Sequence, residues 1–324
     1  MKYRAFGRTG WQISEIGFGA WGIGRSMWIG ATDDESTRAL DRAMDLGLNF
    51  IDTALAYGDG HSERLVGATA RRRRDRIYVA TKVPPKNLLW PARPGIPIGR
   101  VFPYKYIIES TETSLKNLGL DSVDLQQFHV WSPDWLQADD WRRAIQDLKK
   151  SGKVRAFGIS VNDYQPDSVL ETLETGLVDA IQVIYNIYDA RAAERLFPLC
   201  RQLGVGVIAR VPLDEGGLTG AITPETTFPR GDWRGRYFAG DRKRRVSERA
   251  ERLRQELAGE TGSLAEIALR FCMSHPAVST VIPGMRSVRN VESSCGVSNL
   301  GPLPPATLAK LQNHIWIRNF YGAD

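Results

Sequence analysis

Asn49-Phe-Ile-Asp-Thr-Ala-Leu-Ala-Tyr-Gly-Asp-Gly-His-Ser62 is the stretch whose reading decides the fold. Phe50 and Ile51 have the character of a buried strand, and Asp52 stands where that strand leaves the core. Tyr57 follows five residues later, and a Gly-Asp-Gly turn then leads to Ser62, a residue type suited to capping a helix. A carboxylate and a phenol at a strand exit suit a cleft. They suit a structural strand-to-helix turn equally well, and alone the segment favours that plainer reading.

Working outward, the same unit repeats. Upstream, residues 1–16 alternate around Arg8-Thr9-Gly10, the pattern of a short hairpin, and Ile16–Gly19 reads as a buried strand. Thr32 and Glu35 make a capping box for a helix with Ala39, Leu40, Ala43 and Met44 on one face, ended by Gly47. Downstream, a helix is expected from Ser62 to about Thr69, then apolar strands over 77–81, 123–128, 156–159, 180–183, 205–209 and 279–282. Helical patterns separate them, including a basic one near 242–258, one begun by a Ser263/Glu266 capping box, and a last pair toward the C-terminus. Two long Pro- and Gly-rich loops, 83–104 and 210–240, interrupt the rhythm, and a loop of that length usually has either a function or a disordered middle.

Eight strands spaced by helices predict an α/β fold, a closed (β/α)8 TIM barrel with an N-terminal hairpin and extra C-terminal helices. The competing doubly wound sheet lacks its strand–Gly-x-Gly-x-x-Gly–helix fingerprint, since the glycines of 19–24 are wrongly spaced. With no boundary or repeat in view, residues 1–324 read as a single domain.

Composition narrows the function. Hydrophobic residues make up 42% of the chain and charged residues 25%, enough for a sizeable core. The net charge is +6, concentrated in runs at Arg71–Arg74 and Arg242–Arg245. Such runs are commonly solvated helix ends, and no nucleic-acid-binding pattern accompanies them. No run reaches the ~20 apolar residues of a membrane span. Cys200, Cys272 and Cys295 are odd in number and far apart, which points to a reducing, cytoplasmic setting rather than a disulfide framework or a metal knuckle.

In a barrel the chemistry lies at the C-terminal ends of the strands. The polar residues expected there are Asp52, Lys82, His129, Ser160, Gln182 and Arg210, with Tyr57 just beyond. At this point the chain resembles the aldo-keto reductase family over nearly its whole length. Asp-Thr-Ala-x-x-Tyr-Gly at 52–58, Ala-Thr-Lys at 80–82 and Asp-Leu-Gln-Gln-Phe-His at 124–129 match the family's catalytic positions. Gly-Ile-Ser at 158–160, Ile-Gln-Val at 181–183 and Val-Ile-Pro-Gly-x-Arg at 281–286 match its cofactor segments.

The resemblance implies reduction of an aldehyde or ketone by NADPH, with Asp52, Tyr57, Lys82 and His129 as the catalytic set. Tyr57 is the expected proton donor. A phenol with a pKa of about 10 is a weak acid, and Lys82, held by Asp52, is expected to lower it. His129 is placed to hydrogen-bond the carbonyl oxygen. The resemblance assigns cofactor contacts to Gly19, Ala20, Trp21, Asp52, Ser160, Asn162, Gln182, Arg210, Gly284, Arg286 and Asn290. Ser160 and Gln182 anchor the carboxamide, and Arg286 suits the extra phosphate of NADPH. Arg210 departs from the family, standing where many members stack an aromatic ring on the nicotinamide, and Ser293 and Ser294 replace the usual Glu and Asn near adenine.

Trp21, Trp28 and Trp131, with Tyr57 and His129, are expected to line a substrate pocket for a small carbonyl compound. The basic region 230–245 has three open readings: attracting an anionic substrate, covering cofactor phosphates, or solubility. Two other functions stay open, a cofactor-binding regulatory subunit with little turnover and a dehydrogenase working mainly in the oxidising direction.

Overall fold

The computed structural model describes residues 1–73 and 76–317; Arg74, the last of the first arginine run, lies outside them. Strands β1 (Tyr3–Ala5) and β2 (Gln12–Ser14) pair antiparallel as the expected hairpin. Eight parallel strands follow: β3 (Phe18–Gly19), β4 (Phe50–Asp52), β5 (Tyr78–Val83), β6 (Val123–Phe128), β7 (Val154–Ser160), β8 (Ala180–Ile184), β9 (Gly206–Arg210) and β10 (Thr280–Val281), each beside the next in chain order. Parallel bridges from Ile16 to Val281 and from Gly19 to Gly284 join the first strand to the last, so the sheet closes into a (β/α)8 barrel.

Helices α1 (Asp33–Asp45), α2 (His61–Arg72), α3 (Tyr104–Leu118), α4 (Asp139–Lys150), α5 (Leu170–Glu174) and α6 (Leu196–Leu203) connect successive strands. The loop after β9 carries a 3-10 turn at Asp214–Thr219, then α7 (Trp233–Tyr237), α8 (Arg242–Glu256) and α9 (Leu264–Ser274). Helices α10 (Val288–Leu300) and α11 (Pro305–Leu311) follow β10. Thr32 accepts the expected cap bond from the Glu35 amide, and Ser263 and Glu266 form a full capping box. Ser62, expected as a cap, is not one. Gly60 occupies that position with φ 75°, a conformation a side chain resists, while the buried Ser62 hydroxyl donates to the Ala20 carbonyl and accepts from Thr53 Oγ1.

Two cores share the barrel wall. Alternate strand residues such as Ile51, Val79 and Phe157 point outward under the helices. Phe50, Ala80, Leu125, Ala156, Ala180 and Ile208 point inward and meet Phe6 and Trp11 of the hairpin, which plugs the floor. Phe6 is fully buried, and a Cβ on Gly206 would stand 2.7 Å from its ring. The Arg8 amide donates to the Gly204 carbonyl at 2.6 Å, fixing the plug to the strand-β9 side.

Because side chains alternate with period two, the next inward position on each strand lies one layer higher. Phe50 is followed by Asp52, Ala80 by Lys82, Leu125 by Gln127, Gly158 by Ser160, Ala180 by Gln182 and Ile208 by Arg210. The pairing aligns Lys82 with Gln127 and Ser160 with Gln182. An apolar floor thus passes directly into a polar ring.

Candidate active site

Lys82 is 0% exposed, and its ammonium makes three hydrogen bonds. Nζ donates to Asp52 Oδ2 at 2.6 Å, to the Thr53 carbonyl at 2.8 Å and to Tyr57 Oη at 3.2 Å. Three donors meet three acceptors, so the buried cation is fully satisfied. Asp52, 2% exposed, turns its other oxygen, Oδ1, to the amides of Gln127 at 3.1 Å and Gln182 at 2.7 Å. Gln127 lies in the quoted 124–129 motif but draws no attention in sequence; its inward register, two residues beyond Leu125, is the signal that reveals it.

Burial pulls the Lys82 pKa down, but the charges of Asp52 and Tyr57 outweigh it and the net shift is upward. Lys82 lowers the Tyr57 pKa, as expected, but does not set the net shift, which is upward. Burial of the phenol raises its pKa more than Lys82 and Arg210 lower it, and Asp52 adds to the rise. Tyr57 is therefore a protonated phenol at neutral pH. Close backbone packing fixes its loop: a Cβ on Gly58, where φ is 68°, would fall 1.9 Å from the Gly24 carbonyl oxygen.

His129 leaves β6 and faces Tyr57 edge-on, with ring centroids 5.7 Å apart. Trp90, from the first long loop, meets the same imidazole edge-on at 5.9 Å. Burial, then the positive charges of Lys82 and Arg210, holds the His129 pKa well below the usual value, so the ring is neutral. Its Nδ1 is buried without a hydrogen-bond partner among the described residues.

These groups open into a cavity of about 1120 Å³. Gly19, Trp21, Trp28, Asp52, Tyr57, His129, Ser160, Asn162, Gln182, Arg210, Gly284, Arg286 and Asn290 all border it. Trp21 stacks on Tyr57 at 6.1 Å and meets Trp28 at 5.8 Å and Trp233 at 6.2 Å. Trp233 is missed in sequence because nothing in a 30-residue loop specifies which side chain turns back to the mouth. Asp232 locks this wall, pairing with Arg234 at 2.8 Å and accepting from the Ile29 amide at 3.1 Å.

Two expected site residues lie elsewhere. Trp131 is 0% exposed and packs against Trp135 and Trp141 in the outer core, so it belongs to the scaffold and not the pocket. Ala20 is also fully buried; its amide donates to the Asp52 backbone carbonyl and its own carbonyl accepts from the Ser62 hydroxyl. Asn162 reaches the cavity wall, but its side chain bridges loops. Its Oδ1 accepts from the Ala92 and Trp131 amides, and its Nδ2 donates to the Ala92 carbonyl and Gln165.

Arg210 donates to the Val161 carbonyl at 3.0 Å and pairs with Asp163. Arg286 donates to the Ile29 carbonyl at 3.0 Å beneath Trp28, and a Cβ on Gly22 would stand 2.7 Å from its side chain. Beyond it, Ser287 caps α10 by accepting from the Asn290 amide. The basic stretch is largely neutralised: Arg242 turns inward to Asp214 at 2.9 Å, and Arg244 and Arg245 pair with Glu248 and Asp241. In the other run, Arg72 and Arg73 pair with Asp41 and Asp45.

Residues 15–315 match the profile of the Aldo/keto reductase family, and the chain belongs to that family. It is therefore an oxidoreductase of the class that reduces carbonyl groups with hydride from a nicotinamide cofactor. Aldo-keto reductase YhdN of Bacillus subtilis is 29% identical, covering 90% of this chain and 87% of its own length. An NADH-specific methylglyoxal reductase of Escherichia coli is 28% identical, covering 93% and 94%. The holo form of aldo-keto reductase AKR11C1 from Bacillus halodurans superposes with a TM-score of 0.77 at 29% identity, covering 97% of this chain and 96% of that one.

Proposed function

We propose that the protein reduces an aldehyde or ketone with NADPH, Tyr57 supplying the proton. The observation that carries this reading is the Lys82 ammonium, wholly buried and shared between Asp52 and Tyr57 Oη. The cavity accommodates such a cofactor with a substrate beside it, being larger than most small-ligand sites. Gln182 spends its amide N–H groups on Asp52 and Gln127, which leaves its carbonyl oxygen to accept from a carboxamide, with Ser160 alongside. Arg286, at the N-terminus of α10, supports the extra phosphate of NADPH. When bound, the cofactor supplies hydride.

The chain's own part is proton chemistry. His129, neutral and facing Tyr57, orients the carbonyl oxygen by hydrogen bonding. A phenol that stays protonated at neutral pH is a poor acid toward water but a competent one toward an oxygen becoming an alkoxide. As its proton leaves, the Lys82 ammonium stabilises the phenolate, and Asp52 keeps that ammonium charged. Trp21, Trp28 and Trp233 give the substrate side an aromatic wall. The three buried free cysteines support a reducing, cytoplasmic setting, and the fold supports one barrel domain along the chain.

The test is a panel of aliphatic and aromatic carbonyl compounds followed by loss of NADPH absorbance, run in parallel with NADH. Turnover with NADPH and its loss in Tyr57→Phe, with cofactor still bound, is the expected result. Turnover unchanged in Tyr57→Phe removes Tyr57 as the donor.

A further inference from the structure

The chain leaves β9 through a turn of unusual backbone. Val211, Asp214 and Glu215 have φ of 54°, 48° and 53°, and Gly216 has 107°. Val211, Leu213, Glu215 and Gly216 border the cavity, so this turn is part of its wall. Non-glycine residues persist in that region only where their surroundings over-determine them, and a β-branched one there is an outlier. The Asp214 amide donates to the Val211 carbonyl at 3.1 Å, and the Gly216 and Leu218 amides to the Leu213 carbonyl at 2.9 and 3.0 Å. Those bonds close the turn on itself and do not seat it against the barrel.

The seat is Asp214. Its buried carboxylate accepts from the Tyr237 hydroxyl and from Arg242 Nη2, which lies 2.9 and 3.3 Å from its two oxygens. Nη2 also donates to the Tyr237 hydroxyl at 2.9 Å. A Cβ on Gly217 would collide with the same carboxylate, so only bare backbone passes over it. One nitrogen of Arg242 thus carries the hydrogen bonding, because its buried Nε and Nη1 have no partner among the described residues. The rest of the guanidinium is oriented by packing on aromatic rings.

Those rings are Tyr237, 4.4 Å from the guanidinium, and Trp316, 5.1 Å from it. Trp316 belongs to the segment after α11 and does not itself border the cavity. Its amide donates to the Tyr188 carbonyl at 2.9 Å, its ring meets the Tyr188 ring edge-on at 5.7 Å, and Arg249 lies over it at 4.4 Å. Two residues earlier, His314 Nε2 lies 2.9 Å from Glu256 Oε2 and ties the segment to α8. Without the indole, the unbonded N–H groups of Arg242 are free to turn toward water. A guanidinium held by one nitrogen is then fixed less firmly than one held by nitrogen and face together.

We propose that Trp316 is a positioning residue for the nicotinamide cofactor, keeping Arg242 on Asp214 and so fixing the 211–216 turn in the cavity wall. This inference rests on the cofactor reading and adds to it a residue from outside the cavity. The turn follows Arg210 directly, and the strands beside β9 carry Gln182 and lead to Gly284, all in the wall expected to hold the cofactor. Tyr57, Lys82 and His129 stand on or just beyond β4, β5 and β6. Cofactor affinity should therefore fall while the proton chemistry is spared.

The test compares Trp316→Ala, Trp316→Phe and Trp131→Ala in the full chain. Its readouts are calorimetric titration with NADPH and NADH, amide hydrogen exchange, and single-turnover NADPH oxidation with a carbonyl compound that the wild type reduces. Trp316→Ala should weaken both cofactors by about tenfold or more and speed exchange over 211–220 by about as much, with the saturated rate within about threefold of wild type. Trp316→Phe keeps a ring against Arg242 and should stay within about threefold of wild type in every readout. Trp131→Ala removes a scaffold ring elsewhere and should change neither cofactor affinity nor exchange in the turn. Cofactor affinity within about threefold of wild type in Trp316→Ala, no rescue by Trp316→Phe, or an equal loss in Trp131→Ala overturns the proposal. A wild type that binds neither cofactor overturns the cofactor reading itself, which separates the two failures.

Discussion

Replacing Lys82 by Met tests catalysis and folding with one change of similar length. Nζ lies 3.2 Å from Tyr57 Oη, so a full phenolate there gains about 5 kcal/mol at an effective dielectric constant of ~20. With roughly half of that charge developed in the transition state, the loss is about 2.5 kcal/mol, near 70-fold. Losing the donor that orients the hydroxyl adds about tenfold. Lys82→Met should therefore slow the hydride step by 10²- to 10³-fold, measured in single-turnover NADPH oxidation so that product release cannot hide it. The same change leaves Asp52 buried with only Gln127 and Gln182 as donors, and breaking one side of such a pair costs about 3–5 kcal/mol of stability. Adding Asp52→Asn should restore much of the stability and none of the rate. A folded Lys82→Met variant within tenfold of the wild-type rate refutes the phenolate argument. A double variant no more stable than the single one refutes the buried-charge argument.

Other outcomes follow from the same geometry. Trp131→Ala should lower stability by about 3–5 kcal/mol in urea unfolding while leaving KM for the carbonyl unchanged, because Trp131 is core. Arg286→Ala should raise the dissociation constant for NADPH at least tenfold and that for NADH much less, measured by titration at pH 7; equal losses argue against a phosphate contact. At saturating cofactor and substrate, kcat should show neither an acid limb near pH 6.5 nor an alkaline one below pH 9. The His129 pKa is depressed, so the ring stays neutral down through its ordinary range, and the Tyr57 pKa is raised, so its proton is retained. A limb at either position assigns the titration to one of these groups and contradicts its shift.

The barrel was legible because its signals are local and periodic. The strands are short apolar runs, Thr32 and Ser263 cap α1 and α9 as their sequences announce, and Asp52, Lys82, Gln182 and Arg210 each lie two residues beyond an inward-facing apolar residue. What a sequence does not display is the tilt of one element against another. Trp131 and Trp21 are both aromatics just past a strand, yet one turns into the outer core and the other over Tyr57. The sign of the Tyr57 shift was hidden for a related reason. The nearby lysine can be inferred from the motif, but the depth of burial that outweighs it comes from the whole loop packed around Gly24 and Gly58. Trp233 was out of reach because α7, a helix of only five residues inside a long loop, is too short to show a 3.6-residue period.

The floor plug sets an order on assembly. The Gly204 carbonyl and the bare backbone of Gly206, which receive Arg8 and Phe6, are made almost 200 residues after them. At translation speeds of ~5–20 residues per second, the hairpin waits on the order of ten seconds or more with Phe6 and Trp11 uncovered. Two aromatic side chains are thus on offer to holding chaperones throughout that interval. The hairpin is made well before the strand that seats it.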